Sequence, residues 1–201
     1  MPTRTGVKPA RERILDAAAV VMREKGVANT TTKAIAAEAG YSEAMLYKHF
    51  ADKQELFLLL LKERLPLVHP RLAAPGWGDL AENLADIVEQ LMDYYAELFP
   101  MSVSIFSTPD LLAQHREGIE RHGGWGPVGP VRMLTNYLGA ERDAGRIRAD
   151  ADTVAAAQLL VGAAFHQGFL AAYASKTSVE GARRLATTAV AVVLPALTNP
   201  A

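Results

Sequence analysis

The chain has 201 residues, of which half are hydrophobic, and a formal net charge of −1. A chain of this length buries most of its apolar surface without covalent staples, and the absence of cysteine excludes disulfides and thiolate zinc sites. Residues 1–65 carry 11 Lys/Arg against 8 Asp/Glu, whereas the rest carry 10 against 14, so a polyanionic partner is expected only for the front of the chain.

Apolar residues recur at intervals of three and four along the chain, which predicts an all-α fold. The first helix has an apolar face around Ile14 and Val21 and is expected to stop at Gly26. The second helix begins at its cap, Thr31, and runs to Gly40.

A third and a fourth helix follow after short turns. Ser42 is the natural cap of a very short third helix that ends near Phe50. Asp52 and Glu55 have the spacing of a capping box and predict the start of a leucine-rich fourth helix. Pro66 must kink or end that helix.

Five further helices are predicted in the back of the chain. They span roughly 79–98, 101–120, 128–145, 152–175 and 178–197. Pro100 and Pro109 bracket or break the second of these, and GGWGPVGP at 123–130 is expected to be a flexible connection.

The second and third helices have the spacing of a helix-turn-helix. Such a motif needs a small residue where the helices cross, a glycine four residues later in the turn, and a large apolar residue six positions further on that fills the shared core. Ala36, Gly40 and Leu46 meet these three requirements. Ile35 and Phe50 then face inward, which leaves the polar residues of 42–49 on the outside. Their hydroxyl and basic groups suit phosphate and base-edge contacts, although helix-turn-helix spacing also occurs in generic bundles.

The stretch TTTKAIAAEAGYSEAMLYKHFADKQELF resembles the DNA-binding signature of the tetracycline-repressor (TetR) family over about residues 10–57. The resemblance implies a transcriptional regulator, most often a repressor. By position it implies phosphate contacts from Thr31, Thr32, Ser42, Tyr47 and Lys53. Residues implied to lie at or near the major groove are Lys33, Glu43, Ala44, Met45, Lys48 and His49. Tyr41 and Ala44 depart from the pattern, which usually has a small aliphatic residue and often a glycine there.

The same resemblance implies a division into a DNA-binding domain at 1–51, with an N-terminal three-helix bundle, and a larger helical ligand-binding and dimerisation domain at 52–201. Family members usually dimerise through their last two long helices, so a homodimer on a palindromic double-stranded operator is expected. An apolar or aromatic small molecule is the expected effector.

Residues 153–175 contain no charged side chain and are long enough to span a bilayer. Gln158, His166 and Gln167 lie in the middle of the segment, and no basic flank marks a cytoplasmic side. A helix covered on most sides by protein is therefore expected, with its excess apolar surface hidden across a two-fold axis. The N-terminus lacks the apolar core of a signal peptide, which favours the cytoplasm.

A ligand pocket needs apolar walls with a few orienting polar groups. The candidates are Met101, Phe106, Trp125, Met133, Asn136, Tyr137, Phe165, His166 and Phe169. For His166, a role in packing or at an interface competes with a role in the pocket.

Two other features share part of the pattern of a ligand or metal site. GWGPVG at 124–129 has the spacing of a dinucleotide-binding motif but follows a helix instead of a strand. His115 and His122 lie seven residues apart, which is not the spacing that favours chelation. No catalytic constellation stands out, so the chain is expected not to be an enzyme and to need no cofactor or metal.

Overall fold

The computed structural model describes residues 8–63 and 75–198. Within these ranges the chain contains α-helices and two short 3-10 helices, and the predicted all-α fold is confirmed. The α-helices are α1 (Ala10–Asn29), α2 (Thr32–Ala39), α3 (Glu43–Tyr47), α4 (Lys53–Glu63), α5 (Leu80–Ser102), α6 (Pro109–Arg121), α7 (Gly129–Asp143), α8 (Thr153–Tyr173) and α9 (Ala182–Leu197). The 3-10 helices are Val103–Ser107 and Gly126–Val128.

The chain divides into two compact units whose boundaries differ from the predicted division after residue 51. Among the described residues, the first unit joins 8–63 to 100–124, and the second joins 75–99 to 125–198. The physical reason is that Leu56, Phe57 and Leu60 of α4 are buried, and α4 packs against both α1 and α6. The division into a DNA-binding and a ligand-binding part remains a prediction about function.

Local signals define the helix ends of the first unit as expected. The side-chain oxygens of Thr31 and Ser42 accept hydrogen bonds from the third following N–H group, that of Ala34 and of Met45. Gly40 ends α2 with a φ of 74°, a left-handed conformation that glycine adopts without steric cost. Gly26, with a φ of 73°, interrupts α1, although helical structure resumes for three more residues up to Asn29.

Pro100 acts differently from the prediction, whereas Pro109 breaks the predicted helix at 101–120 as expected. Pro100 does not end α5, which continues to Ser102. A proline this close to a helix end removes one backbone hydrogen bond in the last turn, which the helix tolerates. Pro109 starts α6 at its first position, where the missing N–H has no partner to lose. Pro66 lies outside the described residues.

The expected flexible connection at 123–130 is instead partly helical. Gly126–Val128 forms a 3-10 turn, and Gly129 and Pro130 are already the buried first residues of α7. Arg132 lies over the ring of Trp125, with 5.1 Å between the guanidinium carbon and the ring centroid. This contact ties the turn to the helix that follows it.

The core of the second unit is built from α5, α7, α8 and α9. Helices α8 and α5 approach closely at Gly168 of α8, where an added Cβ would come within 2.4 Å of Tyr95 Cβ and 2.8 Å of the Met92 carbonyl oxygen. Only a glycine allows this approach of α8 to α5, since real side chains do not make contacts this short.

Helix α8 is long and apolar enough to cross a membrane by length and composition, with 39% of its most apolar window buried in the protein. The expectation that it is covered on most sides is not met within one chain. One face packs on the core, whereas Leu159 is 65% exposed and Tyr173 is 83% exposed on the other. Exposed apolar patches of this kind usually mark a surface that another molecule buries.

Candidate nucleic-acid interface

The helix-turn-helix has the predicted interior. Ile35, Leu46 and Phe50 are buried, and Ala36 lies with them where α1 and α2 pack. Because Leu46 and Phe50 fix the inner side of the segment from 42 to 50, its polar residues lie on the outer side.

The structure places most of the predicted DNA contacts on that outer surface. The exposed ones are Thr31, Lys33, Ser42, Ala44, Tyr47, Lys48 and His49. The partly covered ones are Thr32, Glu43, Met45 and Lys53. They share one unit of the fold, but their contact with DNA remains a prediction.

Two of the capping hydroxyls keep a hydrogen to donate. Thr31 and Ser42 use their oxygens as acceptors for the N–H groups of Ala34 and Met45, at 3.1 and 3.3 Å. A hydroxyl has one hydrogen and two lone pairs. Capping therefore orients each side chain at its helix start and leaves its O–H for an outside acceptor such as a phosphate oxygen.

Three other residues of the surface form a hydrogen-bonded cluster. The Thr32 hydroxyl donates to Glu43 Oε1 at 2.5 Å. The Tyr47 hydroxyl lies 3.3 Å from the same Thr32 oxygen. This cluster connects the start of α2 to the first and last residues of α3, and nothing in the spacing of the motif predicts it.

Lys53 has a structural role that the sequence did not reveal. Its ammonium group donates to the backbone carbonyls of Val27, Ala28 and Thr30, at 2.9, 3.4 and 3.0 Å. Burial lowers the pKa of Lys53 below its ordinary value. An ammonium has three hydrogens, so a phosphate would compete with these carbonyls for one of them.

Tyr41, the first departure from the family pattern, packs inside the unit. The guanidinium carbon of Arg13 lies 4.8 Å from the Tyr41 ring centroid, and Arg13 Nη1 donates to the Tyr41 hydroxyl at 3.2 Å. Arg13 also donates to the carbonyl of Ala39 at 2.8 Å. Tyr41 thus holds α1 against the turn. The motif offered no signal for this pairing, because Arg13 lies 28 residues earlier in the chain.

Helix α6 is joined to the start of α4 by polar contacts. Asp52 Oδ1 accepts the Glu55 N–H at 2.7 Å, and Asp52 Oδ2 accepts from Arg121 at 3.0 Å and lies 3.4 Å from His122 Nε2. Burial alone would raise the pKa of Asp52, but the Glu55 hydrogen bond and the pairing with His122 and Arg121 hold it below its ordinary value.

His115 and His122, which lie seven residues apart in the sequence, contact different partners. His115 Nδ1 lies 3.3 Å from Gln54 Oε1, its ring packs on Phe57, and burial lowers its pKa. His122 lies beside Asp52 instead. Among residues 8–63 and 75–198, no group of three or more His, Asp or Glu side chains is arranged to hold a metal ion.

The ligand candidates fall into both units. Met101 and Phe106 belong to the first unit, where Met101 is fully buried and Phe106 is 69% exposed. The other seven belong to the second. Tyr137 is buried there, and Asn83 Nδ2 donates to its hydroxyl at 3.3 Å. Burial and the hydrogen bond to Glu141 raise the pKa of Tyr137 to about 12.

Phe165 and Phe169 are brought together, since both rings contact Phe99, with centroid distances of 4.8 and 5.5 Å. Both are nonetheless about half exposed. Asn136 and His166 are exposed, and Met133 is half-buried. A core role for His166 is therefore excluded, which leaves the interface and pocket interpretations open.

Comparison with known proteins gives the class. The sequence profile of bacterial regulatory proteins, tetR family, matches residues 14–60. The chain is 44% identical over 142 residues to the uncharacterised HTH-type transcriptional regulator YvkB of Bacillus subtilis, a match that spans 71% of this chain and 72% of the relative. The chain belongs to the TetR family and is a DNA-binding transcriptional regulator with a helix-turn-helix.

Solved structures share the fold. FadR of Bacillus subtilis, determined in complex with stearoyl-CoA, has a TM-score of 0.66 and 19% identity over 92% of this chain and 98% of its own. The SmeT–triclosan complex has a TM-score of 0.64 and 23% identity over 94% and 92%. SmeT is the repressor of a multidrug efflux pump of Stenotrophomonas maltophilia. At this identity the likeness concerns the fold.

Proposed function

We propose that the chain is a homodimeric repressor that binds a palindromic operator and is released by a small apolar or aromatic ligand. The DNA-binding part of this proposal is supported by the residues on the outer surface of the helix-turn-helix. There the oxygens of Thr31 and Ser42 cap α2 and α3, and each hydroxyl keeps one hydrogen that it can donate to a phosphate oxygen. Lys33, Lys48 and His49 add exposed basic groups that suit phosphates and base edges.

Dimerisation would bury the apolar surface that α8 and α9 expose in the single chain. Leu159 and Leu170 of α8 and Val192 of α9 are large apolar side chains in solvent, and Val192 is 77% exposed. A second copy would bury both helix faces around a two-fold axis. Two such subunits would then present their α3 helices to successive major grooves, about 34 Å apart.

The ligand part of the proposal concerns the second unit. Phe165 and Phe169 form an aromatic surface with Phe99. Two fold neighbours were solved with ligands that contain a large apolar or aromatic group, FadR with stearoyl-CoA and SmeT with triclosan. A ligand shifts the operator equilibrium only if it binds the released state more tightly. The alternative is a constitutive regulator without a ligand. In either case the protein acts in the cytoplasm and catalyses no reaction.

The DNA-binding proposal is tested by selecting bound sequences from a randomised duplex library and measuring affinity at several salt concentrations. Lys48→Ala should weaken binding by about tenfold, and a phosphate contact would also flatten the salt dependence. Lys62→Ala, an exposed lysine of α4, serves as the control. Equal affinities and slopes for the two variants would contradict the assignment of Lys48.

The ligand proposal is tested with triclosan and stearoyl-CoA as probes. Binding at a concentration 100 times the Kd stabilises the folded state by about 2.7 kcal/mol, which a thermal melt detects. An effector must in addition weaken binding of the selected operator. An unchanged melting temperature together with an unchanged operator affinity would favour the constitutive alternative.

A further inference from the structure

The direction of the hydrogen bonds in the Thr32 cluster has a consequence for DNA binding. An ionised carboxylate only accepts hydrogen bonds, so the hydrogen between Thr32 Oγ1 and Glu43 Oε1, 2.5 Å apart, comes from Thr32. Thr32 has no second hydrogen. The Tyr47 hydroxyl, 3.3 Å from the same oxygen, must therefore be the donor in that contact.

The cluster is thus a chain in which Tyr47 donates to Thr32 and Thr32 donates to Glu43. Both hydroxyl hydrogens point along this chain and end at one carboxylate. A phosphate oxygen is also only an acceptor. It can bind Thr32 or Tyr47 only by taking a hydrogen that the cluster already uses.

We propose that Glu43 is a specificity-determining residue that weakens binding to DNA of arbitrary sequence by holding the hydroxyls of Thr32 and Tyr47 away from phosphate. This inference rests on the proposed DNA-binding function. Glu43 also brings a negative charge next to two residues proposed to meet phosphate, and like charges at such distances repel. Both effects act on every sequence equally.

A preferred sequence can offset this cost. Glu43 is the first residue of α3, the end of a reading helix that reaches base edges in the major groove. A carboxylate there accepts a hydrogen bond from the N4 amino group of cytosine, the donor that this base presents in the groove. Glu43 therefore lowers the affinity for DNA of any sequence, and a hydrogen bond to cytosine restores affinity where that base faces it.

The test measures binding of a 30-base-pair duplex of random sequence by fluorescence anisotropy. Glu43→Ala should tighten this binding by about three- to tenfold, because it frees the hydroxyls and removes the charge. Glu43→Gln should tighten it less, since its amide oxygen still accepts from Thr32. Glu38→Ala removes the same charge from the exposed side of α2 and serves as the matched control.

A double-mutant cycle separates the hydroxyl contact from charge alone. In the Thr32→Val background, the gain from Glu43→Ala should fall to the size seen for Glu38→Ala. The ratio between affinity for the best selected operator and for the random duplex should also shrink in Glu43→Ala. Unchanged or weaker binding of the random duplex by Glu43→Ala overturns the inference, as does a gain that is equally large in both backgrounds.

The wild-type measurement distinguishes this failure from failure of the proposed function. If the wild type binds neither the random duplex nor any selected sequence at low salt, the DNA-binding proposal itself fails. If it binds and the Glu43 variants do not differ from it, only the role of Glu43 is wrong. Circular dichroism of each variant verifies that the helices are intact.

Discussion

Each unit contains a helix contact of a different kind: in the first unit charged side chains donate to a neighbouring helix, whereas in the second, beside the ion pairs of Arg183, helix α8 approaches α5 through a glycine. Lys53 binds the carbonyls at the end of α1, and Arg121 binds Asp52 at the start of α4. In the second unit, Gly168 lets α8 touch the backbone of α5 directly. Polar joints of the first kind tolerate small displacements, because a hydrogen bond weakens gradually with distance and angle. A steric joint has no such tolerance.

This contrast predicts the largest effect for the steric joint. Gly168→Ala should lower the free energy of unfolding by about 3 kcal/mol, the upper end of the range for overpacking, because its Cβ would meet backbone atoms that cannot rotate away. Urea unfolding followed by circular dichroism measures the change.

The matched control is Gly139→Ala in α7, where an added Cβ would have no described atom within 4 Å. It should stabilise the protein by about 0.5–1 kcal/mol, the usual gain from replacing a helical glycine. A Gly168→Ala variant as stable as Gly139→Ala would show that the two helices can separate, and the contrast between the units would be lost.

The polar joint at Lys53 should have a smaller effect. Lys53→Ala should cost about 2 kcal/mol of unfolding free energy, since the carbonyls of Val27 and Thr30 lose a charged donor. Lys62→Ala, in the same helix but exposed, should change it by less than about 0.5 kcal/mol. Equal effects of the two substitutions would mean that the Lys53 ammonium is available to phosphate instead of being held by α1.

The joint at Asp52 should have the smallest effect and depend on pH. Asp52→Ala should cost about 1 kcal/mol at pH 7 through loss of the cap, whereas Asp52→Asn should cost about 0.5 kcal/mol, because asparagine caps as well but pairs with neither Arg121 nor His122. The lowered pKa of Asp52 determines the direction in which stability changes with pH. Its stabilisation is complete above the unfolded pKa of about 3.9 and is lost as the pH falls through the folded value.

Urea unfolding at pH 7 and at pH 3 tests whether the contribution of Asp52 to stability falls on acidification. The difference in unfolding free energy between wild type and Asp52→Asn should narrow at the lower pH, because the carboxyl takes up its proton more readily in the unfolded chain than in the folded protein. A difference that grows on acidification would contradict the pairing.

The sequence predicts the first unit better than the second for a physical reason. The interior positions Ile35, Leu46 and Phe50, and the caps Thr31 and Ser42, depend on neighbours within a few residues, so spacing alone determines them. The partners of Lys53 and Tyr41 lie 23 to 28 residues away and were not predicted.

The candidates of the second unit depend on contacts over still longer distances. Gly168 owes its role to Tyr95 and Met92, which no local pattern connects to it. Phe165 and His166 were placed by composition alone, and the fold leaves both exposed. Met101 and Phe106 fall in the other unit altogether. An apolar residue in a helix is compatible with core, interface and pocket, and only the partner helix decides among them.

The first unit includes a segment that is distant in sequence, and this affects the order of folding. Ser104 accepts the N–H of Ala28 at 3.1 Å, and Arg121 and His122 contact Asp52. During synthesis, residues 8–63 emerge well before their partners at 100–124. The helix-turn-helix can form early because its own contacts are local, but its unit is complete only after residue 124 has left the ribosome. A fragment that ends at 63 would lack these contacts and should be less stable than the same helices in the full chain.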